Sequence, residues 1–192
     1  MTGMRKRISE EEIFGLYLEF KTPGNVMRHC NAVANVATTI AAALDEHGFN
    51  LDLELIHGAG LAHDAARTQA RHWDVAADKL ADMGYIEESI IVRNHMTGAG
   101  YHDISQVSEM DMIWLGDRLV KEDEYVGIDV RFDYIIEKAL KMGAEDHVKD
   151  ILASKADMQR LLDQIEKVIG QSVDSLFEEK EEDLPEEGVS NE

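Results

Sequence analysis

Apolar residues recur along most of this chain at intervals of three and four, the spacing that gathers them on one face of an α-helix. The clearest stripe runs through Val26, Cys30, Val33, Val36/Ala37, Ile40 and Leu44. Ser9-Glu10-Glu11-Glu12 has the reciprocal capping pattern and predicts a first helix beginning at Ser9. Thr22-Pro23-Gly24-Asn25 breaks the chain before the second helix, with Asn25 as its N-cap, and Gly48 stops that helix after about Glu46. Further helices are expected from Leu51 to about Ala66, Gln69 to about Met83, Glu87 to about Asn94 and Ser108 to about Lys121. Gly98-Ala99-Gly100 opens a loop carrying His102 and Asp103, which could lie over a site as a lid or be a plain connection. A charged loop runs through Asp129, and Arg131–Met142 and Asp146–Phe177 close the fold, with Gly143 between them and Gly170 a point of interruption. No segment shows sustained β-branched alternation, so no sheet is expected and the fold class is an all-α helical bundle.

Composition narrows the picture. A chain of 192 residues with 44% apolar residues can bury one core without staples, giving a domain over residues 1–177. From Glu178 onward eight acidic residues accompany one lysine, Pro185 and Gly188, so residues 178–192 are expected to be a disordered acidic tail. The single cysteine, Cys30, fits a reducing compartment. The basic start is cut by Ser9-Glu10-Glu11-Glu12 before any secretory apolar run, and no stretch suits a bilayer span, so a cytoplasmic protein is expected. The formal charge of −20 argues against duplex nucleic acid and anionic membrane surfaces as partners. It does not exclude a small phosphorylated substrate, because bound cations can reverse a local field, and it leaves a homodimer open.

The chemistry lies in the histidines, five of which fall between positions 57 and 102. His29 follows Val26 by three residues and precedes Val33 by four, so it points inward, as a core histidine or as a ligand. His63-Asp64 ends the third helix, His72 opens the body of the fourth, and His95 ends the short one. Asp117 shares a stripe with Met110, Ile113 and Val120; a carboxylate there needs a cation, or an ion pair with an arginine such as Arg118 or Arg71. Together His29, His63, Asp64, His72, His95 and Asp117 supply imidazoles and carboxylates, a mixture suited to Fe, Mn, Co or Zn rather than Mg or Ca. One tetrahedral ion needs fewer ligands, so one or two divalent ions are expected, two of them bridged by Asp64. Arg67, three residues after Asp64, could fork onto phosphate oxygens or lie solvated at the surface; Arg118, Lys121 and Arg131 are further candidates for binding an anion. His47, His57 and His147 read as surface residues, His57 with an outer role at the site as the other possibility, and Trp73 and Trp114 as core packing or base-stacking rings.

The order of these residues resembles the HD superfamily of metal-dependent phosphohydrolases over roughly residues 25–140. The resemblance implies an all-helical bundle with a central site, where His29, His63, Asp64 and Asp117 hold a first metal and His72 and His95 complete a second. It implies hydrolysis of a small phosphorylated substrate, a nucleotide, by metal-activated water, with Asp64 and Arg67 as catalytic residues. Two branches are similar. Asn94-His95-Met96-Thr97-Gly98 resembles a segment of the symmetrical diadenosine-tetraphosphate hydrolases, although Arg118-Leu119-Val120 departs from their pattern. Arg28-His29-Cys30-Asn31-Ala32-Val33-Ala34, Gly116-Asp117-Arg118-Leu119-Val120 and the stretch from Val126 to Phe132 resemble more closely the HD modules joined to molybdenum-cofactor-type nucleotidyltransferases. That second likeness carries an alternative function: a non-catalytic module that binds metal and nucleotide and regulates such a partner.

Overall fold

A computed structural model describes residues 6–97 and 102–178, and it is mostly helical. Eight α-helices follow one another: α1 (Glu10–Phe20), α2 (Gly24–Asp45), α3 (Leu53–Ala62), α4 (His72–Asp82), α5 (Ile86–Asn94), α6 (Glu109–Leu119), α7 (Gly127–Lys141) and α8 (Val148–Ile169). Most of the expected acidic tail and the Gly98-Ala99-Gly100 segment lie outside the described residues.

Local chemistry sets several of the ends. Ser9 caps α1 as its pattern predicts: its Oγ accepts from the Glu12 amide at 3.3 Å, while Glu12 accepts from the Ser9 amide at 3.0 Å. A second reciprocal box, Ser108 with Asp111, starts α6. Gly170 ends α8 at φ +74°, a left-handed conformation that glycine adopts without strain. The cap expected at Asn25 is instead Pro23, which supplies no side-chain acceptor.

Three helices are shorter than their apolar patterns suggest. α3 stops at Ala62, so His63 and Asp64 sit in the turns just beyond it, and α4 starts only at His72 because Arg71 takes a left-handed backbone. α8 covers Val148–Ile169 rather than reaching Phe177. The expectation of no sheet is corrected as well. α6 ends where Val120 turns extended, and β1 (Val120–Lys121) pairs antiparallel with β2 (Glu124–Tyr125). Two residues per strand are too few for an alternating pattern to register in the sequence.

α2 is the axis of the bundle. One face of it places Val33, Val36, Ala37, Ile40 and Leu44 in a large core shared with α3, α6 and α8. The adjacent face gives Cys30 and Ala34 to a smaller core with α1, α4 and α5. Each large side chain so buried contributes about 1.5–3 kcal/mol. Two glycines let helices close tightly on α2. A Cβ on Gly60 would meet the Ala34 Cα at 2.7 Å, and one on Gly116 would meet the Val33 carbonyl oxygen at 2.9 Å. These approaches bring the end of α3 and the middle of α6 against the N-terminal half of α2, where His29 lies.

Gly60→Ala should therefore destabilise the protein by about 1–3 kcal/mol through overpacking, read as a lower urea midpoint at unchanged slope. An unchanged midpoint would show that α2 and α3 do not press together at this point.

Candidate metal centre

The end of α3 exposes backbone carbonyls that a helix no longer satisfies. Tyr17 donates its hydroxyl to the Leu61 carbonyl at 2.6 Å, and Thr22 donates to the Ala65 carbonyl at 2.5 Å, both from the α1 side. The third partner is His63 itself, whose Nδ1 lies 2.7 Å from the Gly60 carbonyl. His95, at the end of α5, repeats that device with the Val92 carbonyl at 2.7 Å. His29 uses the hairpin instead, its Nδ1 lying 2.7 Å from the Glu122 carbonyl, where Glu122 adopts φ +57° in the turn between β1 and β2.

A carbonyl oxygen accepts and cannot donate, so each of these Nδ1 atoms carries the proton. In the neutral ring, Nε2 then presents a bare lone pair. All three lone pairs face carboxylates: His29 Nε2 lies 3.3 Å from Asp117 Oδ1, His95 Nε2 lies 3.7 Å from Asp64 Oδ1, and His63 Nε2 lies 3.9 Å from Asp64 Oδ2. His63 Nε2 is buried with no hydrogen-bond partner. His72 Nε2 lies 2.9 Å from Asp64 Oδ1. Histidine ligands of metals characteristically donate their second nitrogen to a backbone carbonyl, which fixes the tautomer and aims the other nitrogen at the ion.

Two ligand-sized clusters result, His29–His63–Asp64 and Asp64–His72–His95, the ligand atoms of each lying within 4.8 Å of one another. They share Asp64. Protonating every ring instead would place four imidazolium ions beside Arg67, Arg118 and Arg131 against two carboxylates. Burial, reinforced by the neighbouring His63, opposes this at His95 and lowers its pKa to about 4. Burial also disfavours the charge on Asp64, but His63, His72 and Arg67 outweigh it and hold the carboxyl well below its ordinary range. A buried, ionised carboxylate with imidazole nitrogens gathered around it is a donor set that a divalent cation fits, and these residues could hold one.

Asp117 stands apart from both clusters. It too is held far below the ordinary carboxylate range, burial being outweighed by Arg118 and His29. Arg118 forms an ion pair with it, and Arg131 Nη2 lies 3.6 Å away. The arginine pairing that its sequence position allowed is thus present, through Arg118; Arg71 pairs with Asp74 instead. The same carboxylate still reaches His29, so it borders the first cluster.

The candidate anion-binding residues separate. Arg67 is partly exposed, with Nη1 at 3.3 Å from Asp64 Oδ1 and 3.1 Å from His72 Nε2. Together with Arg118 and Arg131 it lines a cleft of about 480 Å³ whose floor includes His29, Asp64 and Asp117. Lys121 is not in that lining; its ammonium sits 5.0 Å from the centre of the Tyr134 ring. Lys138 and Tyr134 of α7 are lining residues that sequence reasoning missed, although Arg131, Tyr134, Ile135 and Lys138 follow helical spacing. His147, read as surface, is exposed yet borders the same cleft. The other histidines are engaged elsewhere, His57 with Glu10, His47 with the Ala43 carbonyl and His102 with Asp111. Trp114 is core, and Trp73 packs edge-on against His72.

Comparison with known proteins adds little beyond this geometry. No family model matches the chain, and no solved structure matches it. The chain is 34% identical over 79 residues to the uncharacterized protein MJ0778 of Methanocaldococcus jannaschii, a stretch covering 40% of this chain and 47% of that protein. Among the described residues no helix is long and apolar enough to cross a membrane.

Adding Mn, Fe, Co or Zn to metal-free protein should raise its melting temperature, by the equivalent of about 2.7 kcal/mol at a hundred times Kd. Asp64→Asn should remove most of that gain because both clusters use this carboxylate. An equal gain in the variant would place the ion elsewhere. A second outcome concerns pH in the metal-free protein. Folded His95 resists protonation down to about pH 4, whereas its ordinary value is 6.5. Between those values the unfolded chain binds more protons, so His95 costs stability as pH falls through the window, by roughly 3 kcal/mol in all. His29, raised by Asp117 against the effect of burial, runs the opposite way. The difference in slope between wild type and His95→Gln in denaturant titrations isolates the first contribution, and identical slopes would mean that the folded ring is charged.

Proposed function

We propose that this chain is a metal-dependent phosphohydrolase of the HD type, acting on a small phosphorylated substrate, a nucleotide. The observation that carries this reading is the convergence of buried imidazole nitrogens on Asp64 at the floor of a cleft lined by Arg67, Arg118 and Arg131. Such a floor suits cations, and such walls suit an anion brought against them. One or two bound divalent ions, Fe, Mn, Co or Zn, would supply a water acidic enough to attack at neutral pH and offset charge on the phosphoryl oxygens.

The chain's own groups divide the remaining work. Asp64, ionised because His63, His72 and Arg67 surround it, accepts and orients and does not act as an acid. The Nδ1–H bonds of His29, His63 and His95 keep each Nε2 aimed inward. Arg67 is the more adaptable cation because it is partly exposed, and swinging from Asp64 to a phosphoryl oxygen would exchange one charge-assisted hydrogen bond for another. Arg131 is half-buried beside Asp117 and fixed by its Nε bond to the Asp117 carbonyl at 3.2 Å, so it offers a rigid fork. An acidic protein with a cationic cleft favours a small anion over a duplex or a membrane surface as partner.

The Arg118–Asp117 ion pair favours a second reading, because an arginine already seated on a candidate ligand carboxylate competes with an ion there. On that reading the chain is a non-catalytic module that binds metal and nucleotide and regulates a partner such as a nucleotidyltransferase.

Phosphate release from a panel of nucleotides, with and without added Mn or Fe, separates the two. Metal-dependent release is expected, falling to background in Asp64→Ala and on the order of 10²-fold in Arg67→Ala, as for loss of a transition-state donor. Tight nucleotide binding without release would decide for the regulatory module.

A further inference from the structure

The outer half of the cleft has a composition that phosphate recognition does not explain. α7 presents Arg131, Tyr134, Ile135 and Lys138 to it, and α8 presents Asp150, Ile151 and Ser154, with His147 at its N-cap. The spacing is three, one and three on α7, and the same on α8, so each set is one helical stripe. Arg131 marks the inner end, 3.6 Å from Asp117. Lys138 is seven residues further along, about 10 Å down the helix axis. Between these ends the walls are apolar, formed by Phe132, Ile135 and Ile151.

Asp150 is the odd member. It lies in the first turn of α8, is exposed, and makes no ion pair or hydrogen bond with another side chain among the described residues. Of the three carboxylates that line the cleft, Asp64 and Asp117 are paired with histidine or arginine, whereas Asp150 stands without such a partner among the described residues and would repel a phosphate. It belongs to the part of a ligand that is not anionic. An ionised carboxylate only accepts hydrogen bonds, so its partner must be a donor. A ligand with phosphate at the arginines, a flat apolar body between the isoleucines and a donor at the far end has the outline of a nucleoside monophosphate bearing an amino group on its base.

We infer that Asp150 is a specificity-determining residue that selects substrates by accepting a hydrogen bond from a nucleobase amino group. The inference rests on the phosphohydrolase reading for where the phosphate lies, but it concerns binding and not turnover. Ser154, one turn further along α8, lines the same wall and can accept or donate beside it.

Calorimetric titration of the full chain, kept metal-free with a chelator so that binding is read without hydrolysis, tests it. Adenosine and cytidine 5′-monophosphates are each compared with the analogue whose amino group is replaced by hydrogen, and with inorganic phosphate. Wild type should bind at least one amino nucleotide about tenfold more tightly than its analogue, the worth of a hydrogen bond to a charged acceptor. Asp150→Ala and Asp150→Asn should erase that preference while leaving phosphate affinity unchanged; the asparagine keeps the shape and guards against a folding effect. A wild type indifferent to the amino group, or a preference that survives both substitutions, overturns the inference, as does failure of any nucleotide to bind. Absence of phosphate release in the separate turnover assay, with the preference intact, would count against the hydrolase reading alone.

Discussion

Everything chemical in this protein depends on one carboxylate, Asp64, held ionised in the interior where His63, His72 and His95 converge. A lone buried carboxylate would cost several kcal/mol; His72 and Arg67 offset part of that cost, whereas His63 and His95, each with Nδ1 bonded to a carbonyl, turn Nε2 toward it without a hydrogen bond. The backbone forbids an easy escape. With Nδ1–H committed to the Gly60 and Val92 carbonyls, His63 and His95 cannot flip to donate to Asp64 without abandoning a buried acceptor. The fold has therefore fixed an arrangement that is unfavourable by itself and becomes favourable when positive charge occupies its centre. Arg67 supplies part of that charge from the edge, and its position at the mouth leaves the interior lone pairs, His63 Nε2 above all, unanswered.

The scaffold is shaped to keep that geometry. α3 ends at Ala62, and His63 keeps a helical backbone at its C-cap, so His63 and Asp64 project from the turn at the helix end, where both reach the site. The loose carbonyls this creates are taken up by Tyr17 and Thr22, which tie the turn to α1 and the connection after it. Gly60 and Gly116 let α3 and α6 press on α2 until His29 and Asp117 are neighbours. The hairpin after α6 then returns to give His29 its carbonyl. Packing contacts thus do electrostatic work: moving any of these elements outward would relax the crowding and weaken the case for a cation.

How much of this was legible in the sequence follows from the range of the interactions involved. Capping by Ser9 is local, between residues three apart, and the residues alone declare it. The α2 stripe is periodic and equally plain. The helix ends around His63 and Arg71 are not, because apolar periodicity continues through Ala65, Ala66 and Ala70 while the backbone is set by tertiary hydrogen bonds from α1. The six ligand candidates were found from residue type and order. What spacing could not reveal is their division into two clusters around Asp64, or that Asp117 would pair with Arg118 at the edge of one. The hairpin was missed because it is short, and with it the reason that His29 points its Nε2 inward. Lys138 and Tyr134 escaped because their stripe is apolar at one position only, and the wall they form needs α8 opposite.

The last question is why a protein of net charge −20 should gather arginines at one mouth. Surface charges act over about 8 Å in physiological salt before screening removes them. A long polyanion crossing the surface would meet the acidic field of the whole molecule, whereas a small anion inside the cleft meets chiefly Arg67, Arg118 and Arg131. The acidic exterior and the cationic interior are then parts of one filter, on the phosphohydrolase reading. On that reading the exterior would discourage nucleic acid, the mouth would admit a compact phosphate ester, and the charge of Asp64 beneath it must be offset for the tightest seating of an anion, by the arginines alone or by the arginines with metal. That requirement favours coupling of substrate and ion: each supplies charge that the other lacks, so binding of either should strengthen binding of the other.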